Sequence, residues 1–211
     1  MSKSILVFGG SAVWGQGDLN GGWVHLLRKF IDTKYSKSKM AYKIQLYNLG
    51  VSGETTTKLA KWIDYEIEHR IKKDLIVVIC LTTNDSARIK SENSHKTVEE
   101  KFVMNINLIT KIAQKYTDKV VVVNSQPVSE HLTNPLAWSK DKYIKNKDIE
   151  KYNSLAKRFC SENNIDYIDI YKVLKTKFNK ELSNDGVHPN TKGHQLIFAM
   201  VRDFLIQKKL L

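Results

Sequence analysis

Three runs in this chain, Ile5–Phe8, Leu75–Leu81 and Val120–Val123, are almost wholly valine, isoleucine and leucine, and this constrains the fold most. A strand without polar alternation has both faces covered, as inside a parallel sheet flanked by helices. Two further strand candidates alternate instead. In Tyr42–Tyr47, Tyr42, Ile44 and Leu46 stand against Lys43 and Gln45; in Ile165–Ile168, Ile165 and Tyr167 stand against Asp166. Half-covered strands of this kind belong at sheet edges. Helical stretches fall between them, near 22–32, 56–71, 97–116, 146–163 and 191–208. The third sets Val98, Phe102, Ile106, Ile109, Ala113 and Tyr116 on one face; the last does so with Ile197, Val201, Phe204 and Leu205. The alternation predicts a three-layer α/β/α fold around a five-stranded parallel sheet. Edges at the second and fifth strands select the flavodoxin-like order 2-1-3-4-5.

A chain of 211 residues fits one such domain, 1–211, without repeats or a Pro/Gly/Ser-rich linker. The net charge is +12, yet the lysines are mostly interleaved with acids, as in Lys140-Asp141-Lys142, and the arginines are scattered. No helix-turn-helix, zinc-finger or RNA-reading motif accompanies them, so the charge reads as solvated helix faces and no specific nucleic-acid partner is expected. Of the two cysteines, Cys80 lies inside an apolar run and Cys160 near a helix end, neither at metal-ligand spacing. Isolated thiols suit a reducing compartment. The apolar stretch at Ile5–Phe8 is too short for a signal core, and no run approaches a membrane span. The expectation is a soluble, cytoplasmic protein.

In an open α/β sheet, ligands bind beyond the carboxyl ends of the strands where the winding direction switches, here between the first and third strands. Gly9-Gly10-Ser11, Asn48-Leu49-Gly50 and Thr82-Thr83-Asn84-Asp85 follow the first three strands. A serine on a glycine-flanked turn can point its hydroxyl into the crevice, or cap the turn that follows. A phosphate loop fails, because Gln16 and Gly17 stand where Lys and Ser/Thr are required. The dinucleotide pattern fails at Asn20, where its last glycine belongs. Gly50 can lend an N–H to an anion, or serve as an ordinary turn glycine. The Asn84 amide can donate to a developing oxyanion without carrying charge, or bond its own backbone.

His188 lies in Asn184-Asp185-Gly186-Val187-His188-Pro189-Asn190, just before the last helix. Asp185 can accept from one imidazole nitrogen, which fixes the tautomer and leaves the other as a base. The segment 171–187 is long enough to carry His188 across three strand spacings, about 14 Å, to Ser11. His194 reads as structural or solvated, and no histidine forms a metal-ligand spacing.

At these positions the sequence resembles the SGNH hydrolases, also called GDSL esterases and lipases, from Ile5 to the last helix. Gly9-Gly10-Ser11 and Gly15 match the first block except for its aspartate, which Gly10 replaces. Gly50 in Asn48-Leu49-Gly50-Val51-Ser52-Gly53 looks like the second block's glycine. Thr82-Thr83-Asn84-Asp85 resembles G-x-N-D with Thr82 for the glycine, and Asp185, His188 and Pro189 match D-x-x-H-P. The resemblance implies a serine hydrolase of carboxylic esters or thioesters, acting without metal or organic cofactor on a small-molecule acyl ester. Ser11 is then the nucleophile, His188 the base and Asp185 its orienting acid, with Ser11, Gly50 and Asn84 forming the oxyanion hole. The departures at Gly10 and Thr82 suggest a second reading, a weak or inactive ligand-binding relative. The long stretch 126–146 carries Leu136, Trp138 and Tyr143; Trp138 and Trp14 are the expected substrate-wall aromatics, with core packing an equal alternative for Trp14.

Overall fold

The computed structural model describes residues 2–38, 43–178 and 181–211. In chain order its elements are β1 (Ser2–Gly9), α1 (Ser11–Trp14), α2 (Gly22–Lys37), β2 (Lys43–Gly50), α3 (Thr56–Leu59), α4 (Ile63–Arg70), β3 (Asp74–Cys80), α5 (Thr83–Ser86) and β4 (Arg88–Ile89). There follow β5 (Ser94–His95), α6 (Glu99–Gln114), β6 (Val120–Val123), α7 (Glu130–Thr133), β7 (Lys142–Tyr143), α8 (Asn146–Glu162), β8 (Asp166–Ile168), α9 (Ile170–Leu174) and α10 (Thr191–Gln207).

The main sheet has five strands in the order β2-β1-β3-β6-β8, all parallel, which is the predicted flavodoxin-like order. Period-two geometry divides each central strand between two cores. Ile5 and Val7 of β1, Ile76 and Val78 of β3, and Val121 and Val123 of β6 pack under α2 and α10, against Leu27, Ile31, Ile197 and Val201. Leu6 and Phe8, Val77 and Ile79, and Val120 and Val122 face α4, α6 and α8, against Ile67, Ile106, Ile109 and Ala156. The edge strand β2 alternates in burial, as its sequence does. Tyr42, the first residue expected in that strand, lies outside the described residues.

Two local expectations are corrected. The single helix over 56–71 is two helices, α3 and α4, broken at Trp62, whose φ is −132°. The Trp62 indole donates to Glu54 Oε2 at 2.9 Å and its ring packs on Phe8 at 5.6 Å, and these contacts hold it out of the helix. The segments around 88–95 and 126–146, read as connections, contain a second, antiparallel sheet in the order β5-β4-β7. Its two-residue strands are too short for alternation to register. A satellite core of Ala87, Val128, Leu136, Ile144, Ile149, Tyr171 and Val187 lies beneath it. Arg88 ties the sheet to α8 through a bidentate pair with the buried Asp148, Nε to Oδ2 and Nη2 to Oδ1, both 2.8 Å. Among the described residues no helix is long and apolar enough to cross a membrane.

Candidate active site

Ser11 is the first residue of α1, immediately beyond the carboxyl end of β1, with Gly10 extended at the N-cap position. α1 is a tight turn in which Val13 and Trp14 N–H both donate to Gly10 O. The Ser11 N–H has no acceptor among the described residues. His188 reaches it from the loop before α10: its Nε2 lies 2.9 Å from Ser11 Oγ. On the other side of the ring, Nδ1 is 2.6 Å from Asp185 Oδ2. With the Nδ1 proton directed at the carboxylate, Nε2 is left to accept the serine proton.

Asp185 is held by more than the imidazole. Its Oδ1 accepts the backbone N–H groups of Val187 at 2.9 Å and His188 at 2.8 Å. Burial acts to raise its pKa, but the His188 ring and these two N–H donors outweigh it and hold the carboxyl at about 2. Asp185 is therefore an anion throughout the neutral range. His188 itself is buried, 6% exposed. The Trp138 indole stacks on its ring with centroids 5.7 Å apart and planes at 29°.

The crevice over Ser11 is about 310 Å³ in volume, and Gly53, Asn84, Lys96, Trp138, Lys142 and His188 are among its walls. Behind Ser11 lies a much smaller space of about 20 Å³, bordered by Thr82, Asn84 and Gln126, with room for about one water molecule. The Asn84 amide nitrogen donates to no other described residue and lies 3.6 Å from where a Cβ on Gly10 would stand.

Gly50 is not in this crevice, which corrects the expectation for the second block. Its N–H donates to Asn48 Oδ1 at 3.0 Å. Its α-carbon faces α1, where a Cβ would meet Trp14 N at 2.3 Å and Val13 C at 2.8 Å. The residue is glycine so that the end of β2 can approach α1. Gly53, three positions on, lines the crevice; it has φ +75° and an N–H without an acceptor among the described residues. Gly50 ends β2 and Gly53 lies in the turn that follows, and nothing in the residue pattern tells which of the two lines the crevice. Trp14 also lies elsewhere than expected: it is 64% exposed and outside the crevice walls.

The two departures from the family blocks are neighbours in space. A Cβ on Gly10 would stand 3.0 Å from Thr82 Cγ2 and 3.4 Å from Thr82 Cβ, so the threonine methyl occupies the space a larger residue 10 would need. The Thr82 hydroxyl donates to Glu54 O at 2.9 Å and so secures the turn that carries Gly53. Asp85 secures the same turn two residues later, accepting from Thr56 N at 3.1 Å and Thr56 Oγ1 at 2.8 Å. Burial raises the Asp85 carboxyl to about 6 against these hydrogen bonds.

Other groups have structural surroundings. His194 is buried; its Nδ1 accepts from Trp23 N at 3.2 Å and its Nε2 donates to Gln16 O at 3.1 Å, which joins α10 to the loop after α1. The Cys80 thiol is pushed far up by burial and is no competing nucleophile at neutral pH. Among the described residues no group of three or more His, Cys, Asp or Glu is arranged to hold a metal ion.

Comparison with known proteins agrees with the fold. The model of the GDSL-like Lipase/Acylhydrolase family matches residues 7–196. No curated protein sequence matches significantly. Among solved structures, the lipase/acylhydrolase from Enterococcus faecalis is similar with a TM-score of 0.75 at 19% identity, covering 98% of this chain and 96% of that one. A catalytic mutant of an acetylxylan esterase from Geobacillus stearothermophilus gives 0.71 at 17% identity, covering 96% and 92%. A GDSL-like lipase from Bacteroides thetaiotaomicron gives 0.68 at 21% identity, covering 99% and 89%. At such identities the likeness is one of fold.

Proposed function

The chain belongs to the GDSL-like lipase/acylhydrolase family, a family of ester hydrolases, and from that premise we propose that it is a serine esterase working through an acyl-enzyme on Ser11. The observation that carries the reading is the unbroken relay from Ser11 Oγ through His188 to Asp185, at 2.9 and 2.6 Å. As Ser11 Oγ attacks the carbonyl carbon, its proton passes to His188 Nε2, and the anionic Asp185 stabilises the imidazolium that forms. The carbonyl oxygen gathers negative charge beside the N–H groups of Ser11 and Gly53 and the amide of Asn84. None of these donors is spent on another described acceptor, so they meet the oxyanion without first breaking a bond. His188 then protonates the departing alcohol, and a water activated by the same nitrogen releases the acid from Ser11. In this reading Gly53 takes the place first given to Gly50, and Trp138 covers one face of the base.

A non-catalytic, ligand-binding relative was the alternative suggested by Gly10 and Thr82. Because those residues fill each other's space and leave the relay intact, they give it no support. The test is fluorophosphonate labelling beside an ester panel. Labelling and turnover should both be lost in Ser11→Ala, and Asn84→Ala should lower kcat by roughly 10²–10³. Labelling that survives Ser11→Ala would overturn the assignment of the nucleophile, and an Asn84→Ala enzyme with undiminished kcat removes the amide from the mechanism.

A further inference from the structure

The walls of the Ser11 crevice include two ammonium groups, Lys96 and Lys142, and no carboxylate. Both belong to the small antiparallel sheet: Lys142 opens β7, and Lys96 directly follows β5. Some lysines elsewhere in the chain find acids. Lys3 and Lys119 meet Asp74, Lys151 meets Glu99, and Lys208 meets Asp166. Lys96 and Lys142 are half-buried, and among the described residues neither has a carboxylate in ion-pair contact. The Lys96 Nζ donates only to Gly53 O, at 3.3 Å, which leaves two of its protons for another acceptor. Burial first, then the positive charges of Lys58 and Lys142, outweigh the nearby carboxylates of Asp85 and Glu54 and hold the Lys96 ammonium below the usual lysine range. Like charges gathered in a cleft repel one another, and a bound anion relieves that repulsion.

We infer that the crevice takes an ester carrying a carboxylate or phosphate, which pairs with Lys96 and Lys142 while the scissile carbonyl lies at Ser11. The inference rests on the esterase reading above and adds the substrate class to it. Leu136, Ile144 and the Trp138 ring, on the same walls, receive the hydrocarbon part. The net charge of +12 draws such a substrate toward the protein, while the two lysines give it a place to bind.

The test compares matched ester pairs by kcat/KM. One pair puts the charge on the acyl side: 4-nitrophenyl hydrogen glutarate against 4-nitrophenyl valerate. The other puts it on the alcohol side: 1-acetylglycerol 3-phosphate against 1-acetylglycerol, followed by acetate release. Lys142 is the residue to change, because Lys96 also braces the Gly53 turn. In at least one pair the charged-to-neutral ratio should fall about tenfold in Lys142→Gln and further in Lys142→Glu, as expected for one half-screened charge contact. Lys29→Glu, an equal change of net charge on an exposed face of α2, should leave that ratio within about twofold, since screening removes distant charges. The pair that responds identifies the side of the ester that bears the anion. Neutral esters turned over with both ratios indifferent to Lys142→Glu overturn the anion site alone. No turnover of any ester, together with no labelling of Ser11, overturns the esterase reading and takes this inference with it.

Discussion

The contact between Gly10 and Thr82 lends itself to a double-mutant cycle, Gly10→Ala against Thr82→Ser. Gly10 has φ −95° and ψ −152°, a backbone open to any residue, so alanine there is strained only by what its methyl meets. It meets Thr82 Cγ2 at 3.0 Å, with Thr82 Cβ and Asn84 Nδ2 at 3.4 and 3.6 Å. Only the first contact is too close, and overpacking of this size costs about 1–2 kcal/mol. Thr82→Ser removes that one methyl while keeping the hydroxyl that bonds Glu54 O, and should cost about 1 kcal/mol. In the double variant the alanine methyl enters the space the threonine methyl left. The pair should therefore be less destabilised than the sum of the singles by about 1–2 kcal/mol. Urea unfolding followed by tryptophan fluorescence measures all four corners, with equal m-values confirming comparable transitions. Additivity within about 0.5 kcal/mol would refute the claim that the two departures compensate for each other. The same contact explains why an aspartate at position 10, as in the family's first block, requires a smaller residue at 82.

Three further outcomes follow from the site. Gly50→Ala drives a methyl into Trp14 N at 2.3 Å and should unfold or severely destabilise the chain, whereas Gly53→Ala meets nothing within 4 Å and should cost about 1 kcal/mol from its φ of +75°; thermal melts rank the two, and equal losses would contradict the packing. Asp185 is held at about 2, below its unfolded value, so its contribution to stability is present above about pH 4 and is lost as pH falls toward 2. Asp185→Asn should flatten that acid slope in urea titrations and lower turnover by about 10³–10⁴, because the amide no longer enforces the His188 tautomer. Asp85, raised to about 6, has the opposite sign: its share of stability is complete below about pH 4 and declines as pH rises through 6. Unfolding midpoints of wild type and Asp85→Asn should consequently converge in acid and separate toward neutrality; parallel pH profiles would exclude a raised Asp85.

Burial on both faces of Ile5–Phe8, Leu75–Leu81 and Val120–Val123, and on one face of the strands at the edges, was legible in the residue order, because side chains alternate across a strand whatever lies beyond it. From that pattern came the sheet order, and from the sheet order the place where Ser11, Asn84 and their turns converge. Asp185 and His188 were legible too, three residues apart in one loop. Tertiary structure alone decided matters that turn on distances between segments far apart in the chain. It set Gly53 on the crevice wall and committed the Gly50 N–H to Asn48, a difference between residues only three positions apart. It left Trp14 in solvent and stacked Trp138 on the imidazole. It also set Lys142 on, and Lys96 directly after, strands of two residues in a sheet held to α8 by an Arg88–Asp148 pair spanning sixty positions of chain. Periodicity reports which face of an element is covered. It carries no information about which distant atom does the covering, and at this site that identity determines the chemistry.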